Sequence, residues 1–481
     1  MSMRTLLLVP PSFSRFDSAG ARFPARRKTA SMWYPVWLCY CGGLIDDSRV
    51  IDCPADDIDV ERILRLSKGY DLVVMHTSTA SLGNDVRTAE CLKGEHDCEV
   101  ALVGPHPSVL PTETLRLSDA IDYVARREYD RTIKELAEGK PVEEIRGLSW
   151  RKDGEIHHNP DRPFIEDLDS LSFVSAVYKR DLDVTRYHLP FLLHPYVSIM
   201  TGRSCPYNCS FCLWPQAFLG RRYRTRSPQN VIDEITYIRE NLPEVREVFF
   251  DDGTFTALPR RVLEICRLMR EHGLDVTWSC NARPDVSIDV LKEMKKAGCR
   301  LLVVGYESGS QEVLDAMNKG TSIDGMRRFT RECREVGLMI HGTFMIGTIG
   351  ETRETIEKTI RFACELNLDS VQFSVATPFP GTRFYDECRE KGYLRGSSLL
   401  DSSGYQECIV EYPWLSADEI VEAVDRAYVQ YYYRLGYVAK QLTLMMTRPR
   451  ETRRILLGAL RLQRYFVENA YHRFVGTFKA Y

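Results

Sequence analysis

Short β-rich runs alternate with helix-forming runs in two separate blocks of this 481-residue chain, and that alternation narrows its fold more than any other feature. A strand that returns through a helix to the next strand builds a parallel sheet wrapped by helices. In the first block Arg4–Pro10, Arg49–Cys53, Asp71–His76 and Glu99–Val103 read as strands, with Val60–Leu66 and Asp85–Leu92 as helices. This predicts a Rossmann-like domain over residues 1–140, with its ligand crevice at the strand ends: the loops Ser12–Gly20, His76–Gly83 and Gly104–Ser108. Residues 141–193 read as a linker containing a hairpin turned at Asp153-Gly154.

The second block, residues 194–395, repeats the alternation six times. Its strands are Tyr196–Thr201, Glu247–Asp252, Val276–Asn281, Arg300–Tyr306, Met339–Ile346 and Ser370–Ala376, with helices such as Pro228–Glu240, Pro259–Glu271 and Glu351–Leu366 between them. The expected fold class is therefore α/β: a Rossmann-like domain, a partial (β/α)6 barrel and a helical C-terminal region over 396–481, starting at an N-cap in Ser416-Ala417-Asp418-Glu419. Such sheets carry their sites where strands end and loops begin.

A formal charge of −3 gives no whole-chain basis for nucleic-acid binding. The apolar run Leu6–Val9 is closed by Pro10 and Pro11, too short for a signal peptide, and no apolar stretch approaches the roughly 18 residues of a spanning helix. A cytoplasmic location with reduced thiols is expected, so the fifteen cysteines are not a disulfide framework.

Three of them, Cys205, Cys209 and Cys212 in TGRSCPYNCSFCLWPQ, form a CxxxCxxC pattern at the end of the second block's first strand. Chance would place it about 0.014 times in a chain of this cysteine content. Three thiolates on a tight loop suit a 4Fe-4S cluster with one iron left for a non-protein ligand. The alternative, zinc, needs a fourth ligand, which His194 could supply. The other twelve cysteines read as small buried hydrophobes, with Cys280 and Cys299 near enough to the barrel to examine for a redox role.

The CxxxCxxC loop ending a first strand, with Phe211 before its last cysteine, resembles the radical S-adenosylmethionine (SAM) superfamily. The resemblance implies SAM chelated at the open iron, reductive cleavage to a 5′-deoxyadenosyl radical, and a flavodoxin- or ferredoxin-type electron donor. It also implies cofactor contacts at the later strand ends. Asp251 and Asp252 in FFDDGTF stand where relatives receive the SAM ammonium, the alternative being solvated turn carboxylates. Ser279, Asn281 and Arg283 in WSCNAR occupy a similar position, with Arg283 suited to the SAM carboxylate or to a surface ion pair. Glu307 in VGYESG reads as a SAM contact or a structural salt bridge. Gly347 and Gly350 in HGTFMIGTIGET would let backbone approach adenine, although Thr348-Ile349 departs from the Leu-Pro or Phe-Pro usual there. Trp214, Gln216 and Tyr223, just after the cysteine loop, are candidate substrate contacts.

A Rossmann-like domain ahead of such a barrel resembles the cobalamin-binding class of these enzymes over residues 1 to about 395. The cobalt-ligating DxHxxG signature is absent; His76 and His106 lie on crevice loops and read as structural or as ligands. Segments including SMWYPVWL, VVMHTSTAS, HPYVSIMTGRSC, SFCLWPQ and RYRTRSPQNV resemble the hopanoid-biosynthesis branch. That resemblance implies contraction of the glucosamine ring of a bacteriohopanetetrol glycoside to a cyclitol ether. Two other functions stay open: a cobalamin-dependent methyltransferase acting on unactivated carbon, and a non-catalytic zinc-bearing scaffold at membranes.

Residues 434–481 carry ten Lys and Arg against Glu451 and Glu468, a net +8 that leaves −11 on the rest. With LTLMM, ILLGAL, Tyr465, Phe466, Tyr471 and Phe474 interleaved, the tail reads as a basic amphipathic helix. It would either contact the inner membrane surface or pack on the barrel.

Overall fold

The computed structural model describes residues 2–13, 31–396, 398–400 and 406–463. The crevice-loop residues 14–20 and the tail residues 464–481, with Arg464, Tyr465, Phe466, Glu468, Tyr471, Arg473, Phe474 and Lys479, lie outside these.

The first sheet has seven strands: β1 (Thr5–Val9), β2 (Ser48–Asp52), β3 (Leu72–His76), β4 (Glu99–Val103), β5 (Tyr123–Ala125), β6 (Leu148–Lys152) and β7 (Glu155–His158), in the order β2-β1-β3-β4-β5-β6-β7. The first five strands run parallel and the last two antiparallel. β1 and β3 are buried along their whole length, as strands covered on both faces should be. The 141–193 linker reading is corrected at its start. The hairpin turned at Asp153-Gly154 pairs Tyr123 with Trp150 and Ala125 with Leu148, so it extends the Rossmann sheet instead of leaving it.

The second sheet is β8 (Tyr196–Ile199), β11 (Glu247–Phe250), β12 (Trp278–Ala282), β13 (Cys299–Glu307), β14 (Met339–Ile346) and β15 (Ser370–Val375), all parallel and adjacent in chain order. Between β8 and β11 a two-residue ladder, β9 (Gly202–Arg203) and β10 (Arg224–Thr225), brackets the cysteine loop. The sheet is open between β8 and β15. The edge of β15 is covered by the helix Ala417–Tyr432: Val371 N–H and Phe373 N–H donate to the hydroxyls of Tyr432 (2.9 Å) and Tyr428 (3.1 Å). The capping box read at Ser416 and Glu419 forms. The 396–481 region is not helical throughout: Leu394 and Val410, and Leu400 and Gln406, pair as isolated bridges before that helix.

One apolar core joins the sheets. Tyr34 stacks between Tyr178 and Tyr187, with ring centroids at 4.3 and 3.9 Å, and its hydroxyl donates to the Tyr196 carbonyl of β8 at 2.7 Å. Each aromatic pair contributes about 0.5–1.5 kcal/mol beyond its buried area.

Among the described residues, the basic tail forms two helices, not one. Leu435–Thr447 ends at Arg448, a turn over Pro449–Glu451 follows, and residues 452–463 are helical again. Arg454 belongs to a buried chain: Glu247 accepts from Arg300 Nε (3.0 Å), Arg300 Nη1 donates to Glu451 (3.0 Å), and Arg454 Nε donates to the other Glu451 oxygen (2.6 Å). Arg434 donates to the Cys364 carbonyl, and Lys440 pairs with Asp369 at 3.0 Å. These three basic residues fasten the tail to the barrel.

Candidate active site

The cysteine loop leaves β9 through Ser204, whose φ of +75° is in the left-handed region. Cys205 Sγ lies 3.5 Å from Thr254 Oγ1 at the end of β11. Next to Thr254, Gly253 leaves no room for a side chain, since a Cβ there would stand 2.8 Å from the Ser204 carbonyl. Gln216 holds the loop from below: its Nε2 donates to the carbonyls of Cys209 (3.2 Å), Ser210 (3.1 Å) and Cys212 (2.8 Å). The loop is also tied to the last helices of the sheet, by Ser210 N–H to the Met317 carbonyl and Phe384 N–H to the Ser210 carbonyl. Phe211 packs half-buried against the core.

The three thiols are free and sense one another. Burial first, then Cys205 and Cys209, push the Cys212 thiol up to about 12. Burial also raises Cys209, opposed by the nearby cations Lys319 and Arg283. Among the described residues no three His, Cys, Asp or Glu side chains converge on one metal-ion position. His194 precedes β8, at the opposite end of the strand from the cysteines, and its Nδ1 faces the Tyr187 carbonyl at 3.1 Å. It therefore does not complete a zinc site.

The two adjacent aspartates divide in role. Asp252 is fully committed: it accepts from Thr201 N–H (2.6 Å), Thr201 Oγ1 (2.7 Å) and Tyr223 (2.9 Å). It shapes the turn after β8. Asp251 keeps looser partners, Asn281 Nδ2 at 3.2 Å and Ser198 Oγ at 3.4 Å, and burial with the neighbouring Asp252 charge pushes its carboxyl up to about 7. A cation beside it would restore its charge, so Asp251 and Asn281 are the pair suited to an ammonium.

Ser279 lies one step of the same strand face nearer the N-terminal end, where it bonds Glu247 in the chain leading to Arg300 and Glu451. Arg283 is likewise engaged: Nε with Asp285 (3.2 Å), Nη2 with the Lys319 carbonyl (2.5 Å), and its guanidinium 3.7 Å from the Tyr207 ring centroid. It positions Lys319, a residue sequence reasoning missed. Lys319 Nζ pairs at 2.7 Å with Glu307, which ends β13 with φ +64°. A non-glycine residue held there costs about 1–3 kcal/mol, a strain that collects at functional sites. The Glu307–Lys319 bridge stands beside Cys209 of the cysteine loop.

Gly347 meets the C-terminal helix. With φ +99°, it would carry a Cβ 2.8 Å from Ile420 of the C-terminal helix, so it makes room for protein. Gly350 (φ +84°) opposes Ala316 Cβ at 3.7 Å. Glu351 does not open the helix Arg353–Leu366, whose N-cap is Thr352. It turns back to accept from Gly347 and Thr348 N–H, and burial pushes it up to about 7. Trp214 stacks on Trp37 at 5.8 Å, Gln216 donates to the loop carbonyls, and Tyr223 donates to Asp252. Cys280 and Cys299 are buried against each other in the barrel core.

In the first domain, the helix Pro105–Val109 after β4 packs on the turn Trp214–Phe218 that follows the cysteine loop. His76 Nδ1 lies 3.1 Å from the Tyr129 hydroxyl and His106 Nδ1 3.0 Å from Thr79 Oγ1; burial lowers His106 to about 4, so it is neutral.

With this geometry in place, residues 199–363 match the Radical SAM superfamily, and a domain of that kind implies a 4Fe-4S cluster and SAM. The chain is 29% identical over 456 residues to an uncharacterized methyltransferase of Pyrococcus horikoshii, covering 92% of this chain and 95% of the relative. It is 25% identical over 494 residues to the anaerobic magnesium-protoporphyrin IX monomethyl ester cyclase of Rubrivivax gelatinosus, covering 98% and 83%. Among solved structures, the cobalamin-dependent SAM radical enzyme OxsB, with aqua-cobalamin and SAM bound, superimposes with a TM-score of 0.67 over 98% of this chain and 75% of that one, at 13% identity.

Proposed function

We propose that the chain is a cobalamin-dependent radical SAM enzyme that transfers a methyl group to an unactivated carbon. The observation that carries this reading is the shared wall between the cysteine loop and the first domain's strand ends, formed by Trp214–Phe218 against Pro105–Val109 and by the Trp37–Trp214 stack. A cofactor in the Rossmann crevice would therefore lie beside the cluster loop. The crevice also holds a buried, unpartnered hydroxyl, Thr77 Oγ1 just after β3, which suits a polar group of a bound cofactor. The whole-chain likeness to a methyltransferase supports the same reading.

When bound, the cluster supplies the electron that cleaves SAM, and cobalamin would carry the methyl group. This chain's residues bind and orient: Cys205, Cys209 and Cys212 hold the cluster, Asp251 and Asn281 receive the SAM ammonium, and Lys319 with Glu307 sets the charge beside Cys209. A flavodoxin- or ferredoxin-type donor completes the reading.

A second reading is carbon–carbon ring closure, in the form of ring contraction on a hopanoid glycoside; the cyclase relative, covering nearly the whole chain, favours it. Anaerobic turnover of reconstituted protein with SAM, cobalamin, reductant and candidate acceptors separates the two. Methyl transfer yields S-adenosylhomocysteine and a product heavier by one methylene. Ring contraction yields 5′-deoxyadenosine without methyl transfer.

A further inference from the structure

A cleft of about 650 Å³ opens at the N-terminal end of the barrel strands, across the sheet from the cysteine loop. Its walls come from the segments before β8, β11 and β12 and from the tail helix, and five arginines line it: Arg246, Arg450, Arg453, Arg454 and Arg461. Among the described residues no carboxylate pairs with Arg246, Arg450, Arg453 or Arg461. No acid is among the lining residues, and Glu451, next to Arg450 in sequence, has both oxygens taken by Arg300 and Arg454. Arg454 is nine-tenths buried, yet its Nη2 has no hydrogen-bond partner. His194 faces the same charge: burial first, then Arg453, Arg246 and Arg461, hold it below the usual imidazole range. Gathering unpaired guanidinium groups around one partly dry volume is unfavourable through mutual repulsion and lost hydration. A multiply charged anion that accepts forked hydrogen bonds offsets both, and phosphate is the group guanidinium geometry fits best.

We propose that this cleft is a binding site for a phosphate-bearing group, held between Arg246 of the barrel and Arg450, Arg453, Arg454 and Arg461 of the tail. Its volume is that of a small-molecule site. Apolar Leu457 also lines it, while Leu456 and Leu460 on the same helix are exposed. The phosphate can thus belong to a soluble phosphorylated compound or to a phospholipid headgroup.

The test uses the full chain, wild type and Arg246→Gln/Arg453→Gln, with the exposed Arg331→Gln as control; none of these lies at the cysteine loop. Pyrophosphate is titrated at constant ionic strength and unfolding temperature is recorded. In parallel, co-sedimentation is measured with phosphatidylcholine vesicles with and without phosphatidic acid. Pyrophosphate stabilisation weakened at least tenfold in concentration dependence by the double variant, with no vesicle binding, assigns a soluble ligand. Arginine-dependent binding to phosphatidic acid vesicles assigns a headgroup. Responses in neither assay, or responses unchanged in the double variant, overturn the site. Circular dichroism and iron content matching the wild type show that the double variant is folded, and if they differ, Arg246→Lys/Arg453→Lys is used, which keeps charge but loses the fork and should weaken binding by a smaller factor.

Discussion

Arg203 forks onto Asp130, with both guanidinium nitrogens 2.9 Å from the carboxylate oxygens and both side chains almost fully buried. Asp130 opens the helix after β5 and Arg203 stands two residues before Cys205, so the pair pins the cysteine loop to the first domain. Arg224 does the same from β10, donating to Glu128 at 2.7 and 2.8 Å. Removing one partner of a buried pair strands the other charge. Arg203→Leu is therefore expected to lower unfolding free energy by about 3–5 kcal/mol, measured by denaturant titration. The double change Arg203→Leu/Asp130→Leu should recover part of that loss.

Asp251 gives the protein a pH signature. Burial raises its folded pKa to about 7, so between about pH 4 and pH 7 the folded state holds a proton that the unfolded state releases. Its contribution to stability is present at low pH and lost as pH rises through 7, and Glu351 adds a second such contribution. Asp251→Asn is expected to raise the melting temperature relative to wild type at pH 8 and to change it little at pH 5. Parallel curves would show that the carboxyl is not strained.

The two N–H groups of the Gln216 amide are shared among three loop carbonyls. Each such bond contributes about 1 kcal/mol net. Gln216→Ala should cost about 1–3 kcal/mol and speed iron loss to a chelator. Gln216→Glu should fare worse, because its carboxylate cannot donate.

Gly347→Ala combines a φ of +99° with a 2.8 Å contact to Ile420. A loss of about 1–3 kcal/mol is expected. SAM affinity, measured where the variant stays folded, should be unchanged, since the residue faces the C-terminal helix.

The strands of both sheets were legible because short apolar runs of Leu and Val sit between helix-forming segments, as at Leu6–Val9 and Leu301–Val304. β5 has only three residues and leaves no periodic signal, and the edge pairing of β6 on it depends on a contact distant in sequence. The three cysteines were legible from spacing alone. Ser279 and Asn281 were read together because they share a strand face. Two residues along a strand are nonetheless enough to move a side chain from the Asn281 end, near Asp251, to the Glu247 network. Lys319 was invisible because it reaches Glu307 from a loop with no pattern of its own, with Asn318 at φ +54° before it and Gly320 at φ +66° after it. The basic tail illustrates the opposite limit. Its charge was plain in the sequence, but only the fold sorts Arg434, Lys440 and Arg454 as fasteners and gathers Arg450, Arg453 and Arg461 around a cleft with Arg246.

The most direct test of the central claim is anaerobic reconstitution of the full chain, followed by iron, sulfide and zinc analysis and SAM cleavage under reductant. About four irons and four sulfides per chain are expected, with SAM turnover abolished in Cys205→Ala, Cys209→Ala and Cys212→Ala while each variant keeps its fold. Stoichiometric zinc in place of iron, or SAM cleavage that survives loss of any one of the three cysteines, would contradict it.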